Sequence, residues 1–80
     1  MENRDVDIQM LAQETIARMA HLDADLQCNL GGSILKDLRD RVNHDDQQMI
    51  DRAFEVMGKF PHFARARAAV VMKALKSLAQ

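Results

Sequence analysis

The sequence predicts an all-α fold: a small bundle of three to four helices, with long first and last helices and short middle ones, that associates with itself. Three observations carry this. Apolar residues recur at steps of three and four along the whole chain, the signature of helices that each bury one face. Punctuation is sparse, with three Gly and one Pro in eighty residues. The segments between periodic stretches are only about two to five residues long, as in compact bundles. Eighty residues make a single domain, residues 1–80, and a domain of this size buries only about 60% of its unfolded surface. With three Phe, no Trp and no Tyr, the core must come from Leu, Ile, Val, Met and Ala. A second copy or partner would supply the stability that such a small core lacks.

Ile8, Leu11, Thr15, Met19, Leu22 and Leu26, widened by Ala12 and Ile16, predict a first helix from about Asp5 to Gln27. Cys28-Asn29-Leu30-Gly31-Gly32 is read as its end, because paired glycines are poor helix interior and good caps. Ser33 then serves as the N-cap of a short second helix whose inner face is Ile34, Leu35, Leu38 and Val42. Asn43-His44-Asp45-Asp46 is the next break, with Asn43 or Asp45 capping a third helix and Asp45 and Gln48 at capping-box spacing. The heptad register from Leu35 to Phe60 also allows one bent helix over 33–57, but the break is preferred. Met49, Ile50, Ala53, Phe54, Val56 and Met57 line the third helix, and Gly58 is placed just past its end. Pro61 suits the first turn of the last helix, whose apolar face is Phe63, Val70, Val71, Ala74, Leu75 and Leu78.

Charge is segregated. Residues 1–30 carry Arg4 and Arg18 against Glu2, Asp5, Asp7, Glu14, Asp23 and Asp25, a net of −4. Residues 53–80 carry Lys59, Arg65, Arg67, Lys73 and Lys76 against Glu55, a net of +4. An acidic first helix and a basic last helix favour antiparallel packing within the chain or against a second copy. The basic helix also raises DNA binding as an alternative, with Arg65, Lys73 and Lys76 on one stripe. The second and third helices have helix-turn-helix lengths. The would-be recognition helix, however, opens Asp45-Asp46 and carries Asp51 and Glu55, which repel phosphate. Arg67 falls among the apolar positions, where an arginine either snorkels outward or reaches a carboxylate at an interface.

The first helix has more apolar surface than one core stripe needs. Val6, Met10, Ala17, Ala24 and Cys28 lie opposite Leu11, Met19 and Leu22, and positions 10, 17 and 24 repeat every seven residues, the spacing of a helix–helix seam. Six methionines add adaptable contact surface, and Met72 is placed by helical periodicity on the outside of the last helix. The expected partner-binding residues are therefore Val6, Met10, Ala17, Ala24, Cys28, Arg67 and Met72.

No catalytic, metal or cofactor site is expected. His21, His44 and His62 are dispersed, and in His21-Leu22-Asp23-Ala24-Asp25 the alternating side chains diverge on a helix. Leu30-Gly31-Gly32-Ser33-Ile34-Leu35, preceded by Leu22-Asp23-Ala24-Asp25, resembles the phosphopantetheine-attachment segment of peptidyl and acyl carrier domains. That resemblance implies a modified Ser33 at the start of a second helix. This chain lacks the one residue that the family carries between the second Gly and the Ser, and a glycine turn capped by Ser33 accounts for the same residues. A single cysteine excludes an internal disulfide, and Met1-Glu2-Asn3-Arg4-Asp5 lacks the basic and apolar parts of a secretory leader. No apolar run approaches the ~18 residues of a membrane span. The expectation is a cytoplasmic, non-enzymatic interaction protein (an adaptor, chaperone-like or regulatory subunit) with a protein partner or a second copy and no membrane association.

Overall fold

The computed structural model describes residues 5–80 and folds them as four helices with no strand: α1 Val6–Met19, α2 Ala24–Leu38, α3 His44–Gly58 and α4 Ala64–Ala79. The leader reading at Met1–Arg4, and the charges of Glu2 and Arg4, lie outside the described residues. The helices are nearly equal, at 14, 15, 15 and 16 residues, rather than long at the ends and short between.

The difference arises at two places. The expected first helix stops at Met19, not near Gln27, because the chain is capped from both sides of a short turn. Asp23 accepts a hydrogen bond from the Leu26 backbone amide at 3.0 Å and starts α2, while the Gln27 side chain donates through Nε2 to the Met19 carbonyl at 2.9 Å. Leu26 is consequently 49% exposed instead of continuing the core stripe. The second place is Gly31-Gly32, which lies inside α2 and ends nothing. A Cβ built on Gly31 would overlap Val71 Cγ1 of α4 and stand 3.0 Å from Met19 Cε of α1. The glycine is there for close approach, not for backbone freedom, and no glycine has a positive φ. Ser33 is therefore an exposed residue in mid-helix, neither an N-cap nor the helix-start serine that the carrier resemblance implies.

A break after α2 forms as expected but earlier, over residues 39–43, so Val42 falls outside α2 and His44, Asp45 and Asp46 open α3. Asn43 caps α3 by accepting from the Asp46 amide at 2.9 Å, so the single bent helix is not formed and Asp45 is not the cap. Gly58 is the last residue of α3, and Pro61 sits in the connection to α4 rather than in its first turn. Phe63 precedes α4, gives it no side-chain cap and is 65% exposed, so it does not join the core.

Contacts fix how α1 and α2 run against α4. Gln9 and Gln13 of α1 donate to the carbonyls of Gln80 and Ala79 at 2.6 and 3.0 Å, so α1 runs antiparallel to α4. Cys28 meets Ala64 at the starts of α2 and α4, and Gly31 meets Val71 further along, so these two run parallel. Helix α4 packs against all three others. The largest fully buried side chains are Met19, Leu35, Leu38, Ile50, Val71, Leu75 and Leu78, an aliphatic core against which half-buried Phe54 packs from its edge. Each such side chain contributes about 1.5–3 kcal/mol by leaving water. Thr15 is buried with its hydroxyl donating to the Leu11 carbonyl at 2.7 Å, so its polar group is satisfied within the helix. On the surface, Arg39 grips Asp51 with two parallel hydrogen bonds, from Nε to Oδ1 and from Nη2 to Oδ2, the latter at 2.9 Å, and Gln47 donates to the Arg39 carbonyl. These tie the end of α2 to the first turns of α3.

Two measurements check this packing. Urea unfolding of Gly31→Ala is expected to show a loss of about 1–3 kcal/mol despite the better helix former, because the seat is overpacked. Gly32→Ala, whose Cβ would stand 4.0 Å from Phe54, is expected to gain about 0.5–1 kcal/mol. The Arg39 hydrogen bonds hold the Asp51 carboxyl below the usual carboxylate range. Because the folded value is the lower one, the pair's contribution is present above about pH 4, the unfolded carboxylate pKa, and disappears as pH falls through the folded value. Asp51→Asn should therefore destabilise slightly at neutral pH, and the gap from wild type should close in acid.

Candidate interaction surface

Helix α1 buries Ile8, Ala12, Thr15 and Met19, and this choice of face leaves another row outside. Val6, Met10, Gln13 and Ala17 follow each other at steps of four, three and four, which stacks them along one side of the helix. Val6 is 62% and Met10 52% exposed, and Ala17 is exposed. Gln13, in the middle of the row, donates to the Ala79 carbonyl, so the row runs along the seam between α1 and α4. Asp7 and Glu14 flank it, both exposed.

The rest of the expected seam does not join this row. The turn after Met19 puts Ala24 and Cys28 on α2, where Ala24 is half-buried and Cys28 is buried. The Cys28 thiol lies 3.5 Å from the Ala64 carbonyl of α4. Burial pushes its pKa up, Asp25 adds to that, and the charge of Arg67 works against it. Cys28 is an interior contact between helix starts, not a surface residue. Arg67 is half-buried among the same groups, with its Nε enclosed and without a hydrogen-bond partner. Among the described residues it pairs with no carboxylate of α1. Met72 is half-buried against the edge of the core rather than freely exposed.

The outer side of α4 carries Arg65, Ala69, Lys73 and Lys76, all exposed. Arg65, Ala69, Met72 and Lys76 repeat the 4-3-4 spacing of the α1 row. Between α3 and α4 lies a groove of about 340 Å³ whose lining includes Met49, Val56 and Val70, with Arg52 and Lys73 at its polar positions. At the end of the bundle where α2 and α4 begin, Leu26, Phe60 and Phe63 are exposed. Helical periodicity assigned Leu26 and Phe63 to core faces. The signals against that were Asp23 as a cap and Pro61 in the adjoining connection, which remove both residues from the stripes they appear to extend.

Among the described residues no three His, Cys, Asp or Glu side chains are grouped to hold a metal ion, and no helix is long and apolar enough to cross a membrane. Comparisons with protein-family models, curated proteins and solved structures give no match for this chain.

Cys28 provides a check on the packing that displaced it from the surface. A thiol reagent at mild alkaline pH is expected to label it about a hundredfold more slowly in the folded chain than in urea, since reaction requires local opening. Rapid labelling of the folded protein would contradict its placement between α2 and α4.

Proposed function

We propose that this chain is a non-enzymatic interaction protein of the cytoplasm, which acts by burying the Val6–Met10–Ala17 row of α1 against a helix of a second polypeptide. The observation that carries the reading is the exposure of Val6 and Met10 one turn apart on a helix whose other face already fills the core. A monomer gains nothing from leaving two large apolar side chains in water on one row. Covering them contributes on the order of 1–2 kcal/mol each. Ala17 extends the row with a small residue that lets a partner backbone approach, and Met10 adapts to the surface that it meets. Helix-against-helix burial at heptad spacing is a recurrent mode of recognition. Asp7 and Glu14 beside the row select a partner with cations at its edge, which sets specificity and encounter rate more than affinity.

Site-directed crosslinking tests this. A photoreactive residue at position 10 is expected to form one adduct of defined mass in the source cell. The same residue at Asp37, exposed on α2, is expected to form none. Ala17→Glu should abolish the adduct while circular dichroism shows the helices retained. Absence of a defined adduct from position 10, or an adduct indifferent to Ala17→Glu, would remove α1 as the contact surface.

A further inference from the structure

We infer that the helix covering the α1 row is α4 of a second copy of this chain, in a two-fold dimer where each α1 lies on the outer side of the other copy's α4. The inference rests on the reading of α1 as a contact surface and names its partner.

The two rows match in spacing and length, and the charges on and beside them are complementary. Val6, Met10, Gln13 and Ala17 on α1 and Arg65, Ala69, Met72 and Lys76 on α4 share one 4-3-4 pattern, the repeat of helices that pack along their lengths. The helices are about 21 and 24 Å long at 1.5 Å per residue, so neither overhangs the other by more than a turn. The α1 row supplies the apolar contacts and is edged by Asp7 and Glu14, with the cation of Arg18 on the same edge only at the last turn of the helix. The α4 row supplies cations, with Lys73 beside it, Ala69 as its small exposed member and Met72 as an apolar member whose other side is already packed on the core. Although α1 and α4 are neighbours in one chain, none of these carboxylates pairs with an α4 cation among the described residues. What joins the two helices is Gln9 and Gln13 reaching the last carbonyls of α4. The complementary charges are left facing outward on adjacent rows.

Adjacency is what makes a two-fold dimer close. With α1 and α4 antiparallel and side by side, a two-fold axis running parallel to them between the copies sets α1 over the partner's α4 and α4 over the partner's α1 at once. Both contacts are antiparallel, which also opposes the helix dipoles favourably. Such an interface uses the same patch on both copies and leaves no open end to propagate. The net charge of −1 per chain offers little repulsion between copies.

The test is sedimentation of the full chain over micromolar to about 1 mM concentration, the weak end of useful affinities. The wild type is expected to dimerise, more weakly as salt rises. Lys73→Glu with Lys76→Glu should weaken the dimer by about tenfold or more, and Asp7→Lys with Glu14→Lys should do the same. Combining all four substitutions should restore most of the affinity, because the charges are exchanged across the interface. All four positions are exposed, and circular dichroism confirms that each variant folds. A monomer throughout the range overturns the inference, as does a dimer that ignores the reversals or is not rescued by the exchange. So does a monomer that gains mass on duplex DNA and loses that gain with Lys73→Glu and Lys76→Glu. If the wild type is monomeric yet position 10 still crosslinks to a different polypeptide, the contact surface on α1 stands and only its partner has been misassigned.

Discussion

The contact on which the rest of the bundle depends is the seat of Val71 on the bare backbone of Gly31, closed from the α1 side by the thioether of Met19. A glycine inside a helix costs about 1 kcal/mol against alanine. That cost is accepted here because a single methyl group would push α4 away from α2. Since α4 touches every other helix, its distance from α2 also sets where α1 and α3 can lie. Adjacent Gly32 has open space before Phe54 and carries no such constraint, so two neighbouring identical residues have different physical reasons for being tolerated.

The surface follows from that geometry. With α1 rotated to bury Ile8, Ala12, Thr15 and Met19, the Val6–Met10–Ala17 row is left outside, next to α4. Helix α4, surrounded on three sides, has only its Arg65–Lys76 side to offer to solvent. The segregation of charge along the chain is only partly kept in space: Asp7 and Glu14 edge the apolar row of α1, Asp23 and Asp25 go to the start of α2, and the cations Arg65, Lys73 and Lys76 stay on the outer side of α4. Within the chain α1 and the end of α4 are tied by neutral amides, while the charged edges point away from the seam. Exposed charges of this kind contribute little to stability and much to the choice of partner.

Much of the fold could be read from the residues in order. The inner faces Leu35 and Leu38 on α2, Ile50, Ala53 and Met57 on α3, and Val71, Ala74, Leu75 and Leu78 on α4 are buried as their periodicity predicts. Of the two caps the residues allow for α3, Asn43 or Asp45, the structure uses Asn43. The turn after Met19 was hidden because Leu22 and Leu26 continue the helical stripe in phase, so periodicity alone cannot see the break. The candidate surface was half visible for the same reason: Val6, Met10 and Ala17 precede the turn and keep their shared row, while Ala24 and Cys28 follow it and are carried to another helix. For Arg67 and Met72, helical periodicity fixes the angle of the residue around α4 but not which neighbour covers that angle.

Sequence by itself determined that this chain is helical, that its core is aliphatic, that a break separates α2 from α3, and that acid and base lie at opposite ends. These depend on local periodicity, capping chemistry and composition, which act between residues a few positions apart. Tertiary structure alone decided the meaning of Gly31-Gly32. The local signal of paired glycines is the same for a helix stop and for a close helix crossing, and only the position of Val71, forty residues further along the chain, distinguishes them.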